Sequence, residues 1–154
     1  MKILQNADFE KIVETYGDMV YRIALTHIMD KSSAEDIFQE AFLRLVKNIG
    51  RIKDEEHLKF WLIRTTINLS KNANSRLRST AADTDRAAET GDDFSQSDLR
   101  IIIGDLPQKF REVMILCCLE GYTADEAARI LGKPSGTIKS RLFKARQLLK
   151  KEME

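Results

Sequence analysis

A chain of 154 residues, 43% hydrophobic and 32% charged, with only two prolines and seven glycines, suits one ordinary folded domain or two small helix-rich ones. That composition excludes a disordered or collagen-like chain. No apolar run approaches the ~20 residues needed to cross a bilayer and no signal pattern opens the chain, so a cytoplasmic protein without membrane insertion is expected.

Taken in chain order, Phe9, Ile12, Val13, Tyr16, Val20, Ile23 and Ala24 recur at spacings of three and four and predict a first amphipathic helix. Ser32 with Glu35 forms a capping-box pattern that opens a second helix to about Asn48, with Ile37, Phe38, Ala41 and Leu45 as its apolar stripe. Asp54 caps a third helix, whose inward face is expected at Leu58, Trp61, Leu62, Thr65 and Leu69. Three such helices bury one modest core.

Residues 79–98 are small, polar and acidic, with six acids and one base, and they lack a sustained period. They predict a flexible linker. Twenty residues reach roughly 65–70 Å when extended. That exceeds one turn of DNA, roughly 34 Å, so modules on either side could grip separate sites on one duplex.

Beyond the linker, a short helix near Leu99–Ile103 precedes Pro107, which suits the first turn of another helix. Phe110, Val113, Met114 and Cys117 line that helix until Gly121 stops it. Cys117 and Cys118 read as two small core residues, with no disulfide framework and no metal-ligand spacing around His27 or His57.

Residues 122–149 are the most informative. Thr123 and Glu126 form a capping box, Gly132-Lys133-Pro134 makes a turn, and Ser135 is placed to cap a second helix from Gly136. In that second helix Ile138, Leu142, Ala145 and Leu149 share one face; Gly136, Ser140, Phe143, Lys144 and Gln147 share the other, with Thr137 and Lys139 at its edges. Lys133, Lys139, Arg141, Lys144, Arg146, Lys150 and Lys151 run without an intervening acid, a charge pattern that attracts phosphate. A short helix, a glycine turn and a capped basic helix together predict a DNA-reading helix-turn-helix.

The run Leu106-Pro107, Arg111, Val113, Gly121-Tyr122-Thr123, Glu126-Ala127-Ala128, Leu131-Gly132 and Gly136-Thr137-Ile138-Lys139-Ser140-Arg141-Leu142 resembles the C-terminal domain of RNA polymerase sigma factors. Ser33-Ala34-Glu35-Asp36-Ile37-Phe38-Gln39-Glu40-Ala41-Phe42-Leu43-Arg44-Leu45 is similar to the polymerase-binding helix of the same sigma-70 family. Phe60-Trp61-Leu62-Ile63-Arg64 followed by Asn68 resembles its −10 helix. The resemblance spans about 9–78 and 99–151 and points to the small extracytoplasmic-function group.

It implies an all-α protein of two small helical domains joined by the linker: a bundle over 1–78 that docks on core polymerase and contacts the −10 element, and a helix-turn-helix domain over 99–154 that reads the −35 element. It assigns Asp36, Gln39, Glu40 and Phe42 to core polymerase, and Asn68, Lys71, Arg76 and Arg78 to the −10 strand. Thr137, Lys139, Ser140, Arg141, Phe143 and Lys144 fall to the −35 duplex. Trp61, on the apolar face, is expected in the core. Asn72, Asn74 and Ser75 thin the arginine-rich charge usual after the asparagine, a departure that bears on promoter recognition.

The implied partners are core polymerase, promoter DNA and an anti-sigma protein, with no cofactor. No P-loop, dinucleotide fingerprint, metal set or activated nucleophile points to an enzyme. The competing expectations are a stand-alone helix-turn-helix regulator, which would bind duplex DNA without polymerase, and a helical interaction protein that has lost promoter activity.

Overall fold

In a computed structural model of the chain, the described residues are 6–80 and 94–153 for the backbone and 8–75 and 99–151 for the side chains. All regular structure among them is helical, in two units parted between residues 85 and 86.

The first unit packs α1 (Asn6–Ile28), α2 (Lys31–Asn48) and α3 (Glu55–Thr80) against one another. Val20, Ile23 and Ala24 of α1 are fully buried, as are Ala34, Ala41 and Leu45 of α2 and Leu62 and Ile63 of α3. Gly17 lets the α1 backbone come close to the Phe38 ring, because a Cβ there would lie 3.3 Å from Phe38 Cε2. The chain leaves α1 through Met29, at φ 53, and turns directly into α2.

Two local expectations are corrected in this unit. Asp30, not Ser32, caps α2: its carboxylate accepts from the Ser33 N–H at 2.9 Å. The helix starts one residue before Ser32, so the Ser32 hydroxyl has no open turn to close.

The inward face of α3 is also rotated. Leu58 and Leu62 are buried as expected, but Ile63, Thr66, Ile67 and Ser70 complete the face, while Trp61, Thr65 and Leu69 are half-buried. Buried hydroxyls are tolerated here because Thr66 Oγ1 donates to the Leu62 carbonyl and Ser70 Oγ to the Thr66 carbonyl, both at 2.7 Å. The Asp54 cap is present, its carboxylate accepting from the His57 N–H at 2.8 Å.

Of the segment 79–98, residues 81–93 lie outside the described residues, and helix occupies both of its ends. Neither glycine nor proline stands between Phe94 and Ile103, so α4 extends backwards at little cost once its later turns pack.

The second unit contains α4 (Phe94–Gly104), α5 (Gln108–Met114), α6 (Ala124–Leu131) and α7 (Ser135–Met153). Pro107 stands one residue before α5, its carbonyl accepting from the Phe110 and Arg111 N–H groups at 2.9 Å. α5 runs on into a π-helical turn over Ile115–Leu119, and Gly121, at φ 80, ends it. Ile115 and Leu116 point into the core; Cys117 is half-buried and Cys118 exposed, so only one cysteine contributes to packing.

Both halves of the Thr123–Glu126 capping box form, at 2.9 and 3.1 Å. Gly132 closes α6 in the left-handed region, at φ 66, where a side chain would be strained.

Candidate functional site

The helix-turn-helix is built by α6 and α7 on the platform of α5. Ile138, Leu142, Ala145 and Leu149 face the core at 6% exposure or less, as their spacing requires. The opposite face of α7 is open: Gly136, Ser140, Phe143, Lys144 and Gln147 are all exposed, and Phe143 is 65% exposed. A phenyl ring held in water at that level sits beside the hydroxyl and the ammonium a duplex would need. Thr137 is half-buried at the edge, and Lys139 is exposed.

Two residues of this segment act differently from expectation. Ser135 does not cap α7; it is already the first helical residue, and its hydroxyl donates to the Asp125 carboxylate of α6, tying the two helices across the turn. The open N–H groups at the start of α7 are met instead by Pro134, whose carbonyl accepts from Thr137 and Ile138 at 3.0 and 3.2 Å.

Arg141 is half-buried and reaches toward α5. Its Nη1 lies 3.8 Å from Oε1 of Glu112, whose side chain is 3% exposed. Arg141 therefore orients α7 against α5, a role that charge counting along α7 does not reveal. Beside it, the buried Arg111 donates to the Leu106 carbonyl at 2.9 Å and to Gln108 at 3.2 Å.

In the first unit, Asp36 and Gln39 are exposed on α2. Glu40 is engaged by Arg44, whose Nε donates to its Oε1 at 3.1 Å. Phe42 is corrected to a core residue at 5% exposure. It packs edge-on against Phe9, with ring centroids 6.3 Å apart, and at a tilt to Phe38, 5.0 Å apart.

Two residues that sequence reasoning left unassigned are exposed instead: Leu43 at 58% and Val46 at 49%. With Asp36 and Gln39 they follow spacings of three, four and three, so the four residues make one stripe along α2. The signal was present, since neither Leu43 nor Val46 fits the apolar period of the core face. Next to Gln39, an open groove of about 500 Å³ runs between α1 and α2, with Val13, Tyr21 and Phe38 along it and Glu14, Asp18 and Glu35 exposed at its edge.

On α3, Arg64, Asn68, Asn72 and Ser75 are exposed and Lys71 is half-buried. Arg76 and Arg78 lie in the last turns of α3, and their side chains fall outside the described residues. Asn74 supports the fold directly, since its Nδ2 donates to the His27 carbonyl at 2.7 Å and so satisfies an acceptor at the end of α1. An arginine there would lose that link, which accounts for one of the three residues that thin the charge.

Burial pushes the Cys117 thiol up from its ordinary range, partly offset by Arg146. Among the described residues no group of three or more His, Cys, Asp or Glu is placed to hold a metal, and no helix is long and apolar enough to cross a membrane.

Comparison with known proteins finds two family matches: Sigma-70 region 2 over residues 12–80, and Sigma-70, region 4 over residues 98–149. The chain is 28% identical to the extracytoplasmic-function sigma factor SigE of Mycolicibacterium smegmatis, over 92% of this chain and 60% of that protein's length. It is 30% identical to a probable RNA polymerase sigma-C factor of Mycobacterium bovis, over 94% of this chain and 83% of that protein. Its fold matches that of the sigma factor RpoE of Bartonella quintana, solved with the anti-sigma factor NepR, at a TM-score of 0.78 and 22% identity, covering 94% of this chain and 95% of that one.

Proposed function

Because this chain belongs to the sigma-70 family, in its extracytoplasmic-function group, we propose a division of labour between its two helical units. The protein is an RNA polymerase sigma factor that directs promoter-specific initiation. Polymerase carries out the phosphoryl transfer, and this subunit chooses where it begins.

In our assignment the unit within 1–78 docks on core polymerase through the α2 stripe of Asp36, Gln39, Leu43 and Val46, with Glu40 held along it by Arg44. The acidic groove beside Gln39 suits a basic element of the same partner. The outer face of α3, with Arg64, Asn68 and Lys71, takes the −10 strand, and Arg76 and Arg78 are assigned to it by the resemblance alone. Polar contacts and stacking there offset the few kcal/mol of unstacking that an extruded base costs. The unit within 99–154 reads the −35 duplex with Ser140, Phe143 and Lys144, flanked by Thr137 and Lys139. Lys144 and Lys139 neutralise phosphates, while Ser140 and Phe143 meet base edges, Phe143 against a thymine methyl.

The single observation that carries this reading is the stripe on α2. Two exposed aliphatic side chains beside an acid and an amide suit the centre of a protein–protein contact. Such a contact fits polymerase docking, and the family matches over both units disfavour the regulator that works without polymerase. Because RpoE of Bartonella quintana is solved with an anti-sigma factor, an anti-sigma protein is the inhibitor we propose here; work with polymerase supports a cytoplasmic location. Purified chain mixed with bacterial core polymerase should co-elute with it and confer start-site-specific transcription. Duplex binding without polymerase binding would support the regulator instead.

A further inference from the structure

Gly136 is the second residue of α7, and it is exposed. Its backbone lies outside the left-handed region, which among the described glycines is occupied by Gly121 and Gly132. A Cβ built on it would meet nothing within 4 Å. Glycine is the least favourable residue in a helix apart from proline, because it loses the most backbone freedom on folding. Alanine would therefore fit the described structure and suit the helix better. Among the described residues nothing around Gly136 requires glycine there.

The position shares its face with Ser140, Phe143 and Gln147, at spacings of four, three and four, all of them exposed. We propose that Gly136 is a clearance residue: the sugar–phosphate backbone of the −35 duplex lies in van der Waals contact with its Cα, and the absent side chain sets how deeply α7 enters the major groove. This inference rests on α7 being the reading helix.

The physical reason is reach. Phe143 lies seven residues further on, roughly 10 Å along the helix axis. A methyl at 136 would lift the start of α7 away from the duplex by up to the length of a C–C bond, roughly 1.5 Å. Hydrogen bonds weaken steeply beyond their usual range, so Ser140 would lose its partner while the longer lysine side chains still reached phosphate. Gly136 thus determines specificity more than it contributes to general attraction for DNA.

The experiment compares the full-length chain with Gly136→Ala, Lys144→Ala and Gly50→Ala, a second exposed glycine with open space around it, in the other unit. The probes are a duplex carrying the upstream element recovered by transcription from a promoter library, and a scrambled duplex of the same length. Gly136→Ala should melt at the same temperature or higher. It should bind the recovered duplex roughly tenfold or more weakly, with the scrambled duplex little affected. Gly50→Ala should bind as the parent does.

Parent-like affinity of Gly136→Ala for the recovered duplex would overturn the inference, and so would a lowered melting temperature, which would give the glycine a role in the fold. These outcomes are separable from failure of the underlying reading. If Lys144→Ala also bound as the parent does, α7 would not be the reading helix at all.

Discussion

Replacing Leu43 and Val46 together by alanine probes the docking stripe without disturbing the fold. The side chains are 58% and 49% exposed in the free protein, so about half of each remains to be buried by a partner. Full burial of a leucine or valine side chain is worth about 1.5–3 kcal/mol, so half of that is about 1 kcal/mol each. The pair should therefore weaken core-polymerase binding by about 2 kcal/mol, roughly a thirtyfold rise in Kd. Exposed positions change stability by little, about 0.5 kcal/mol or less, and alanine favours the helix. Competition between labelled parent chain and unlabelled variant for core polymerase measures the shift, alongside a thermal melt of the free variant. A correctly folded double variant that competes within about threefold of the parent would refute the reasoning, because that much apolar area cannot be removed from a docking contact so cheaply.

Phe42→Ala should behave oppositely, costing about 3–5 kcal/mol of stability in urea or thermal unfolding, since its ring is buried against Phe9 and Phe38; a stable variant with impaired docking would return Phe42 to the surface. Lys144→Ala should leave stability unchanged and reduce the slope of log affinity against log salt by about 0.9, one phosphate's worth, whereas Arg141→Ala should chiefly lower stability by removing the contact from α7 to the buried Glu112 of α5. Equal salt slopes for Lys144→Ala and the parent would remove Lys144 from the phosphate contacts. Thr123→Ala should destabilise the second unit by about 1 kcal/mol through loss of its capping box, read by chemical denaturation. A maleimide at neutral pH should label the exposed Cys118 faster than Cys117, because Cys117 is half-buried and burial pushes its thiol up, lowering its thiolate fraction; equal rates would contradict that burial.

The features legible in the sequence are those fixed by near neighbours. The Thr123–Glu126 box and the four core residues of α7 follow from spacings of three and four, and each stands where that spacing puts it. Gly132 was legible as a turn for the same reason. What escaped depends on distant partners or on register. Asp30 and Ser32 both offer a cap within three residues of a polar N–H, and only the true start of α2 decides between them. Arg141 and Lys144 are alike in charge, and they part because Glu112, 29 positions earlier in the chain, waits beneath one of them. On α3 the apolar residues fit two registers; the observed one buries Ile63 and Ile67 with Leu58 and Leu62, and Thr66 and Ser70 are tolerated on that face because they bond back to their own helix.

Phe42 shows how a family resemblance can assign a residue to a surface without fixing which way its side chain faces. The stretch that resembles a polymerase-binding helix covers both faces of α2, and the resemblance alone does not say which of its residues looks inward. Phe9 and Phe38 enclose Phe42, so the apolar side chains available to a partner are Leu43 and Val46. Asn74 makes a similar point on α3, where a residue that thins the positive charge is explained by its bond to the end of α1.

The most direct test of the function is transcription by bacterial core polymerase, reconstituted with this chain, from a library of random promoter sequences. A sigma factor should bring the polymerase to discrete start sites whose upstream regions share two elements, and the Leu43→Ala/Val46→Ala variant should lower the yield without altering those elements. Absence of start-site-specific transcripts, from folded protein free of inhibitor and with active core polymerase, would contradict it.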